Sequence, residues 1–418
     1  MKISRFFLSF LFAVAAEATL FCEEEPTVFT KLFPAQVVLQ SSLGTPELLA
    51  ENGVFRAYSL LPGRHRITLS AEGYVEKQID LTVFDGMLLQ EKLERKDSRL
   101  RLIGELPTGR QPKSADFSPD GQYLVIPCLD DAGIDLYGTD PLRFIKTLNP
   151  PEADADKKGF VESIFLPHRG ELWVSQMSTG KIQVFDTTSW AWKAAYSTGG
   201  LWPKVLCPSP DGGICCVSNW ASGTVAFLET STGRIRALIP VGGTPRGMAF
   251  SPDGRELYVA LFDTGNVAVI DCEAFRYTRT IILGPGAARH TVLHQDGKRM
   301  YVTDMYNGLV LLVDPVTGKV LQRRYVGPNP NTLRLSPDGS FIFVSLRGRN
   351  NPETYLLEGP EFGKVVMLDA DTLEPEDWVW GRNQPTGLAL SPRGNLVVFT
   401  DFLDDLLEIY RLDTGKDQ

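Results

Sequence analysis

Ser251-Pro252-Asp253-Gly254-Arg255-Glu256-Leu257-Tyr258-Val259-Ala260, followed after a short loop by Asn266-Val267-Ala268-Val269-Ile270-Asp271, is the stretch that decides the fold. A tight-turn tetrapeptide leads into a run rich in β-branched and aromatic residues, a Gly-containing loop intervenes, and a second such run closes on Asp271. Both runs suit pleated strands, and the segments between them suit turns. The phrase recurs seven times between residues 112 and 413, with turns at Ser118–Gly121, Pro167–Gly170, Ser209–Gly212, Ser251–Gly254, His294–Gly297, Ser336–Gly339 and Ser391–Gly394. Counted from Pro119 through the equivalent positions Pro167, Pro210, Pro252, Gln295 and Pro337 to Pro392, the steps are 48, 43, 42, 43, 42 and 55 residues. A period in the low forties made of short strands and tight turns predicts the blades of a β-propeller, four strands to a blade.

Closure of the ring can be read from the chain ends. The seventh unit stops after its third strand, Leu406 to Leu412, while an unassigned β-run starts at Leu100. Strand 100–106 is therefore expected to complete the seventh blade, which removes an edge that would otherwise pair with other chains. The fold class expected is all-β: a seven-bladed propeller over residues 100–418, preceded by a small β-sandwich.

Composition supports a globular chain, since 43% of its 418 residues are apolar and 22% charged. A formal net charge of −9 argues against nucleic acid as a partner and against anionic lipid surfaces for the molecule as a whole, while leaving room for local basic patches. Lys2 and Arg5, the apolar run Phe6 to Ala16, and Ala16-Glu17-Ala18 read as a signal peptide over residues 1–22, with cleavage near 18–22. Export to the periplasm or cell envelope follows from that reading. No later segment approaches the roughly 20 apolar residues of a transmembrane span. Cys22 raises the alternative of a lipid anchor, against which stands bulky Phe21 where a small residue is expected. The six cysteines lack CxxC spacing, so neither zinc nor haem attachment is expected. Cys207 lies across a hairpin turn from Cys215 and Cys216, which leaves two readings open: a disulfide, or small buried apolar residues.

Residues 27–93 lack the blade phrase. Runs such as Gln36-Val37-Val38-Leu39 and Arg66-Ile67-Thr68-Leu69, with turns at Pro62-Gly63 and Glu72-Gly73, predict a small antiparallel β-sandwich. The charged stretch Glu91 to Arg99 leads out of it, with residues 94–99 expected as linker. The stretch Leu60 to Tyr74 resembles the PEGA module, although Leu61-Pro62-Gly63-Arg64 stands where the name-giving motif would be. That resemblance implies an accessory, wall- or surface-facing module without catalytic residues. The repeats in turn resemble the YVTN-repeat, YncE-like propellers, through Tyr301-Val302-Thr303-Asp304, Tyr258-Val259-Ala260-Leu261 and the run Gly242 to Gly254. The likeness extends over all seven units, but unit 2 lacks the Ser-Pro-Asp turn and unit 6 carries an insertion. It implies an extracytoplasmic binding or scaffold protein; related folds also serve as lactonases and as the structural subunit of quinone-cofactor amine dehydrogenases.

Equivalent positions of a propeller form rings about one axis, so aligning the units compares seven side chains at one place. Seven residues before each turn proline or its equivalent, the innermost strand begins at Pro112, Phe160, Pro203, Pro245, Ala288, Pro330 and Pro385. The next residues are Lys113, Val161, Lys204, Arg246, Arg289, Asn331 and Thr386, four of them cationic in an acidic protein. Loops after each second strand share this face, and six of their seven second positions are apolar or aromatic, among them Trp220, Phe262, Met305 and Phe402; the exception is Arg347. A basic ring beside an apolar collar suits an anionic ligand with an apolar or planar part. The competing reading packs the apolar set between loops and pairs the cations with Asp304 and Asp401. The ligand-binding candidates are thus Lys113, Lys204, Arg246, Arg289, Asn331, Trp220, Phe262, Met305 and Phe402. Insertions at Arg347 to Gly359 and Asn149 to Gly159 fall on the same face and read as lids, partner contacts or neutral additions.

Catalytic motifs are sparse. Four histidines cannot build a His-rich metal centre, and no nucleophile elbow, phosphate loop or dinucleotide fingerprint occurs in a usable context. No cofactor and no metal are expected. His290, beside Arg289, is the one histidine placed to act as acid or base; with Asp304 it could support hydrolysis of a lactone-like ester. The preferred expectation is a non-catalytic envelope protein whose propeller face binds a small anionic molecule, a glycan or a protein partner while residues 27–93 associate with wall or neighbouring protein. The alternative is a periplasmic lactonase-like hydrolase using His290, Asp304 and Arg289.

Overall fold

The structure is a computed structural model that describes residues 27–34, 38–42, 48–52, 55–60, 62–151, 154 and 156–413. The expected signal peptide, Cys22 and Leu61 lie outside the described residues. Two compact units divide the chain: one formed by residues up to Ala71 together with Glu76–Glu91, the other by Glu72–Val75 and Lys92 onward.

The smaller unit holds two antiparallel sheets. One orders Leu48–Asn52, Phe55–Ser59, Thr27–Phe33 and Leu88–Lys92; the other orders Val38–Ser41, Gly63–Ser70 and Lys77–Val83. Period-two patterning explains the second sheet's central strand, where His65, Ile67 and Leu69 are buried and the residues between them are not. With Leu39 and Val83 they form the apolar face expected of a small β-sandwich.

The larger unit is the seven-bladed propeller. Blade 4 shows its plan: Pro245–Phe250, Glu256–Leu261, Val267–Asp271 and Arg276–Ile281 pair in chain order. The first strand of each blade meets the first strand of the next, from Phe160–Leu166 of blade 2 round to Pro385–Leu390 of blade 7 and on to Asp116–Phe117 of blade 1, so these seven strands surround the axis. Strand alternation fills the space between blades. Leu257 and Val259 pack toward Cys216 and Phe227 of blade 3, whereas Tyr258 and Ala260 pack toward Met300 and Val302 of blade 5. As the sequence predicts, Leu100–Pro107 pairs antiparallel with Leu406–Leu412 and completes the seventh sheet.

The recurring turn is held by its own side chains. Ser251 Oγ donates to Asp253 Oδ1 at 2.7 Å and accepts from Glu256 N at 2.9 Å, while Gly254 N donates to Ser251 O at 2.9 Å. The Ser251 hydroxyl thereby holds the Asp253 carboxyl below its ordinary range. Gly254 has φ +72°, which a residue with a Cβ resists. In unit 5, His294 replaces the serine, and its Nδ1 accepts from Asp296 N at 3.1 Å.

A second device shapes the axis. In six blades the first strand is bulged after its opening residue, as between Pro203 and Leu206 or Pro330 and Leu333. In five of these a hydroxyl near the end of the second strand accepts the displaced amide: Ser175 from Glu162, Ser218 from Val205, Thr303 from His290, Ser345 from Thr332 and Thr400 from Gly387. Three of these hydroxyls also reach the next blade, donating to Lys204 O, Thr386 O and Pro112 O. This gives the small polar residue of Tyr301-Val302-Thr303-Asp304 and its counterparts a job: it satisfies a buried donor and ties neighbouring blades.

Residues 94–99, expected as linker, are fastened along blade 6. Arg95 Nη1 lies 2.9 Å from Asp377 Oδ1, and Ser98 Oγ and Arg99 N both donate to Asp377 Oδ2. Within the stretch Asn149 to Gly159, the buried Asp154 accepts from Lys181 and Gln183 at 2.8 and 3.0 Å. All five described cysteines are free, Cys207 lying opposite Cys216 in the strand ladder without a bridge.

Candidate functional site

In blades 3, 4 and 5 the bulge falls on the second residue of the inner strand, a cation in each, and in blade 1 the equivalent cation follows the bridge that Pro112 makes to Cys128 ahead of the strand. Lys113, Lys204, Arg246 and Arg289 line one cavity of about 410 Å³. Arg347, the exception in the collar, joins them as a fifth cation. Trp220, Phe262 and Met305 form the expected apolar wall, together with Leu129, Met177, Trp202 and Tyr355. Trp220 and Phe262 are in ring contact, their centroids 4.9 Å apart.

Two expected lining residues are placed differently. Asn331 is wholly buried behind the cavity, its Nδ2 donating to Thr386 O at 2.8 Å, while its carbonyl accepts from Arg289 Nη1 at 3.1 Å. Phe402 is also wholly buried and acts as a platform: Lys113 Nζ lies 4.3 Å from its ring centroid and the Arg347 guanidinium 5.8 Å. Depth was decided by packing, because Asn331 found a backbone acceptor in the neighbouring blade and Phe402 had an apolar floor to fill.

Carboxylates are scarce around the five cations. Among the described residues the one ion pair they form is Arg246 Nη2 to Glu162 Oε1, at 3.5 Å. Asp304 and Asp401 do not neutralise them. Asp304 accepts from Ala287 N, Tyr306 N, Asn307 N and Asn307 Nδ2, and Asp401 from Arg382 N. The other contacts of the cations are neutral: Lys204 Nζ donates to Met177 Sδ, and Arg347 donates to Gln384 Oε1 while lying over the Tyr355 ring. Arg246 Nη1 and Arg347 Nε are buried without a hydrogen-bond partner. Burial first, and the neighbouring cations second, push the Lys204 ammonium down to about 7 and the Lys113 ammonium well below its ordinary range. The same burial pulls Arg347 down to about 10. Buried first and set among like charges second, these cations are ones whose charged form a bound anion would favour.

Toward the axis the chemistry changes. His290 is buried, and its Nε2 lies 3.3 Å from Arg334 Nη1 while its Nδ1 has no partner. Burial and the nearby Arg334, Arg289 and Arg246 hold the imidazole well below its ordinary range, hence neutral. The structure does not bring Asp304 to it as a hydrogen-bond partner. Beyond Arg334 lies Asp116, which Ser163 Oγ contacts at 2.6 Å and which burial raises to about 7. No group of His, Cys, Asp and Glu among the described residues could hold a metal ion.

Trp202 and Tyr355 are cavity residues that the alignment of units missed. Trp202 precedes the strand-opening Pro203, one place before the aligned positions begin, and stands at φ +55°. Gln111, Asn329 and Gln384 take left-handed φ at equivalent places before Pro112, Pro330 and Pro385, so several blades enter the inner strand this way, although Thr244 and Ala287 do not. Tyr355 comes from the blade 6 insertion, where Gln384 Nε2 donates to its carbonyl at 2.6 Å. A usable signal was an aromatic in each loop already assigned to the binding face.

Comparison with known proteins gives the fold a lineage. Over 337 residues the chain is 37% identical to antigen Lp49 of Leptospira interrogans, covering 78% of this chain and 73% of that protein. The chain belongs to the Lp49 family. A shorter segment of this Lp49-family chain, 143 residues or 34% of its length, is 26% identical to 36% of the seven-bladed β-propeller protein Rv1057 of Mycobacterium tuberculosis. No family model matches the chain.

Proposed function

We propose that this protein is a non-catalytic, extracytoplasmic binding protein of the cell envelope, whose propeller face takes an anionic ligand: a small molecule, an acidic glycan or an acidic segment of a protein. The observation that carries this reading is the imbalance of the cavity, five cations against Glu162, within an aromatic and methionine-rich wall. Holding such a cluster in a half-closed space is costly unless an anion completes it. The leader-like first residues and the PEGA-like features of Leu60 to Tyr74 support an envelope setting, and a relative named as an antigen is consistent with it. Among the described residues no helix is long and apolar enough to cross a membrane. The YVTN-like repeats support a binding or scaffold role. The hydrolase alternative finds less support, because the buried, neutral His290 faces Arg334 rather than a carboxylate.

The test is titration of the protein with 8-anilinonaphthalene-1-sulfonate, a fluorescent aromatic anion. The native chain is expected to bind it at one saturable site, and Lys204→Ala/Arg246→Ala/Arg289→Ala, with folding checked by thermal denaturation, is expected to lose that site. Unchanged binding by the folded triple variant overturns the reading.

A further inference from the structure

The mouth of the cavity carries a second feature that small anions would leave unused. Leu201 and Trp202 stand exposed in the loop before blade 3, at 63% and 49% accessibility, and Tyr306 follows the cavity residue Met305 at 84%. In the blade 6 insertion, Leu356 and Leu357 are exposed beside Tyr355. Single exposed apolar residues are ordinary, but these are chain neighbours of, or themselves, residues that line the cavity. The apolar wall therefore continues from the buried cations outward onto the rim.

Building on the anion-binding reading, we infer that the ligand is a monomeric anionic amphiphile, with a doubly charged phosphate-type head seated among Lys204, Arg246, Arg289 and Arg347 and an apolar chain laid across Trp202, Tyr306 and the blade 6 insertion. Charge sets the head: cations outnumber the lone carboxylate Glu162, and two unpartnered guanidinium nitrogens are buried at the site. Planar arginine forks match phosphate oxygens. The wall sets the tail. Leu129, Met177, Phe262 and Met305 offer no hydrogen bonds to a polar heterocycle, and Asn350, Tyr355 and the two tryptophans are the neutral side chains of the lining that could, so a nucleobase would replace only part of its lost hydration. An alkyl chain loses nothing there, and flexible methionines adapt to it. The same loops expose Asp263 and Glu353, and the chain as a whole carries −9, which disfavours docking on an anionic bilayer and favours a single molecule taken into the cavity.

Isothermal titration with dodecyl phosphate below its micelle concentration, inorganic phosphate, dodecyl maltoside and adenosine monophosphate separates the components. Dodecyl phosphate is expected to bind at least about tenfold more tightly than any of the other three, a difference of about 1.4 kcal/mol. Leu201→Ser/Tyr306→Ser, which alters exposed residues and spares the fold, is expected to lower dodecyl phosphate affinity several-fold and leave that of inorganic phosphate unchanged. Trp202→Ala/Tyr355→Ala should bring the two phosphates together. Equal binding of inorganic and dodecyl phosphate overturns the amphiphile while the anion reading stands; so does tighter binding of adenosine monophosphate. Equal binding of dodecyl maltoside and dodecyl phosphate removes the charged head from the inference, and absence of binding by every anion removes both readings.

Discussion

Arg289 shows what the site costs the propeller. Its guanidinium is buried with one backbone acceptor, Asn331 O, and no carboxylate, and burial together with Arg246 holds its pKa well below the ordinary value. Replacing such a charge with an apolar side chain of similar length commonly stabilises a fold. Arg289→Met is therefore expected to raise the stability of the ligand-free protein by about 1 kcal/mol, measured by urea denaturation, while weakening anion binding at least about tenfold. Lys204 makes a pH prediction with a definite sign. Its folded pKa, about 7, lies below its ordinary value of 10.5, so between those limits the unfolded chain binds more protons. For this group, then, stability without ligand rises as pH goes from about 7 toward 10.5, and anion affinity falls over the first part of that climb. Lys204→Arg should flatten the affinity profile, as titrations at pH 6 to 9 would show. The four ring cations were legible because one aligned position collects them. Arg347 was visible in its ring but stood apart from an otherwise apolar pattern, and only folding shows that its loop turns it into the same cavity.

Neighbouring blades approach closely where their inner strands converge. A Cβ on Gly247 would lie 2.6 Å from His290 Cα and 2.7 Å from Thr291 N, both backbone atoms of the next blade. Gly247→Ala is expected to cost roughly 1–3 kcal/mol, read from the denaturation midpoint. Thr400→Val removes the acceptor for Gly387 N and the donor to Pro112 O, and the loss of a buried partner is expected to cost about 1–3 kcal/mol by the same measurement. Strand order, turn chemistry and blade number were all legible because Ser-Pro-Asp-Gly turns and period-two runs are local signals. The inner-strand bulge was not. It depends on a hydroxyl in one strand meeting an amide in its neighbour, and sometimes a carbonyl in the next blade, which no single stretch of sequence displays. The blade 6 insertion was readable as a feature of the binding face. Its attachment through Gln384, and the placing of Tyr355 over Arg347, came only with the folded chain.

For the molecule as a whole, closure is the controlling feature. Leu102→Pro in the closing strand takes away an apolar side chain packed against the cluster of Phe399, Tyr410 and Leu412 and is expected to lower the melting temperature, roughly 2–4 °C for each kcal/mol lost, and to raise light scattering as a sheet edge opens. A compensating role falls to Lys92, which reaches Glu408, Tyr410 and Trp380 O behind that strand. The register that seals the ring, Leu412 against Leu100 and Leu406 against Pro107, joins opposite ends of the propeller's sequence. A ribosome makes one end first. Until the last strand has been synthesised, six blades can form but the seventh cannot, and the early strand must wait with its hydrogen bonds unpaired. The ring is therefore a clock as well as a fence: its final step is a slow, long-range search that begins only once all seven units have been synthesised.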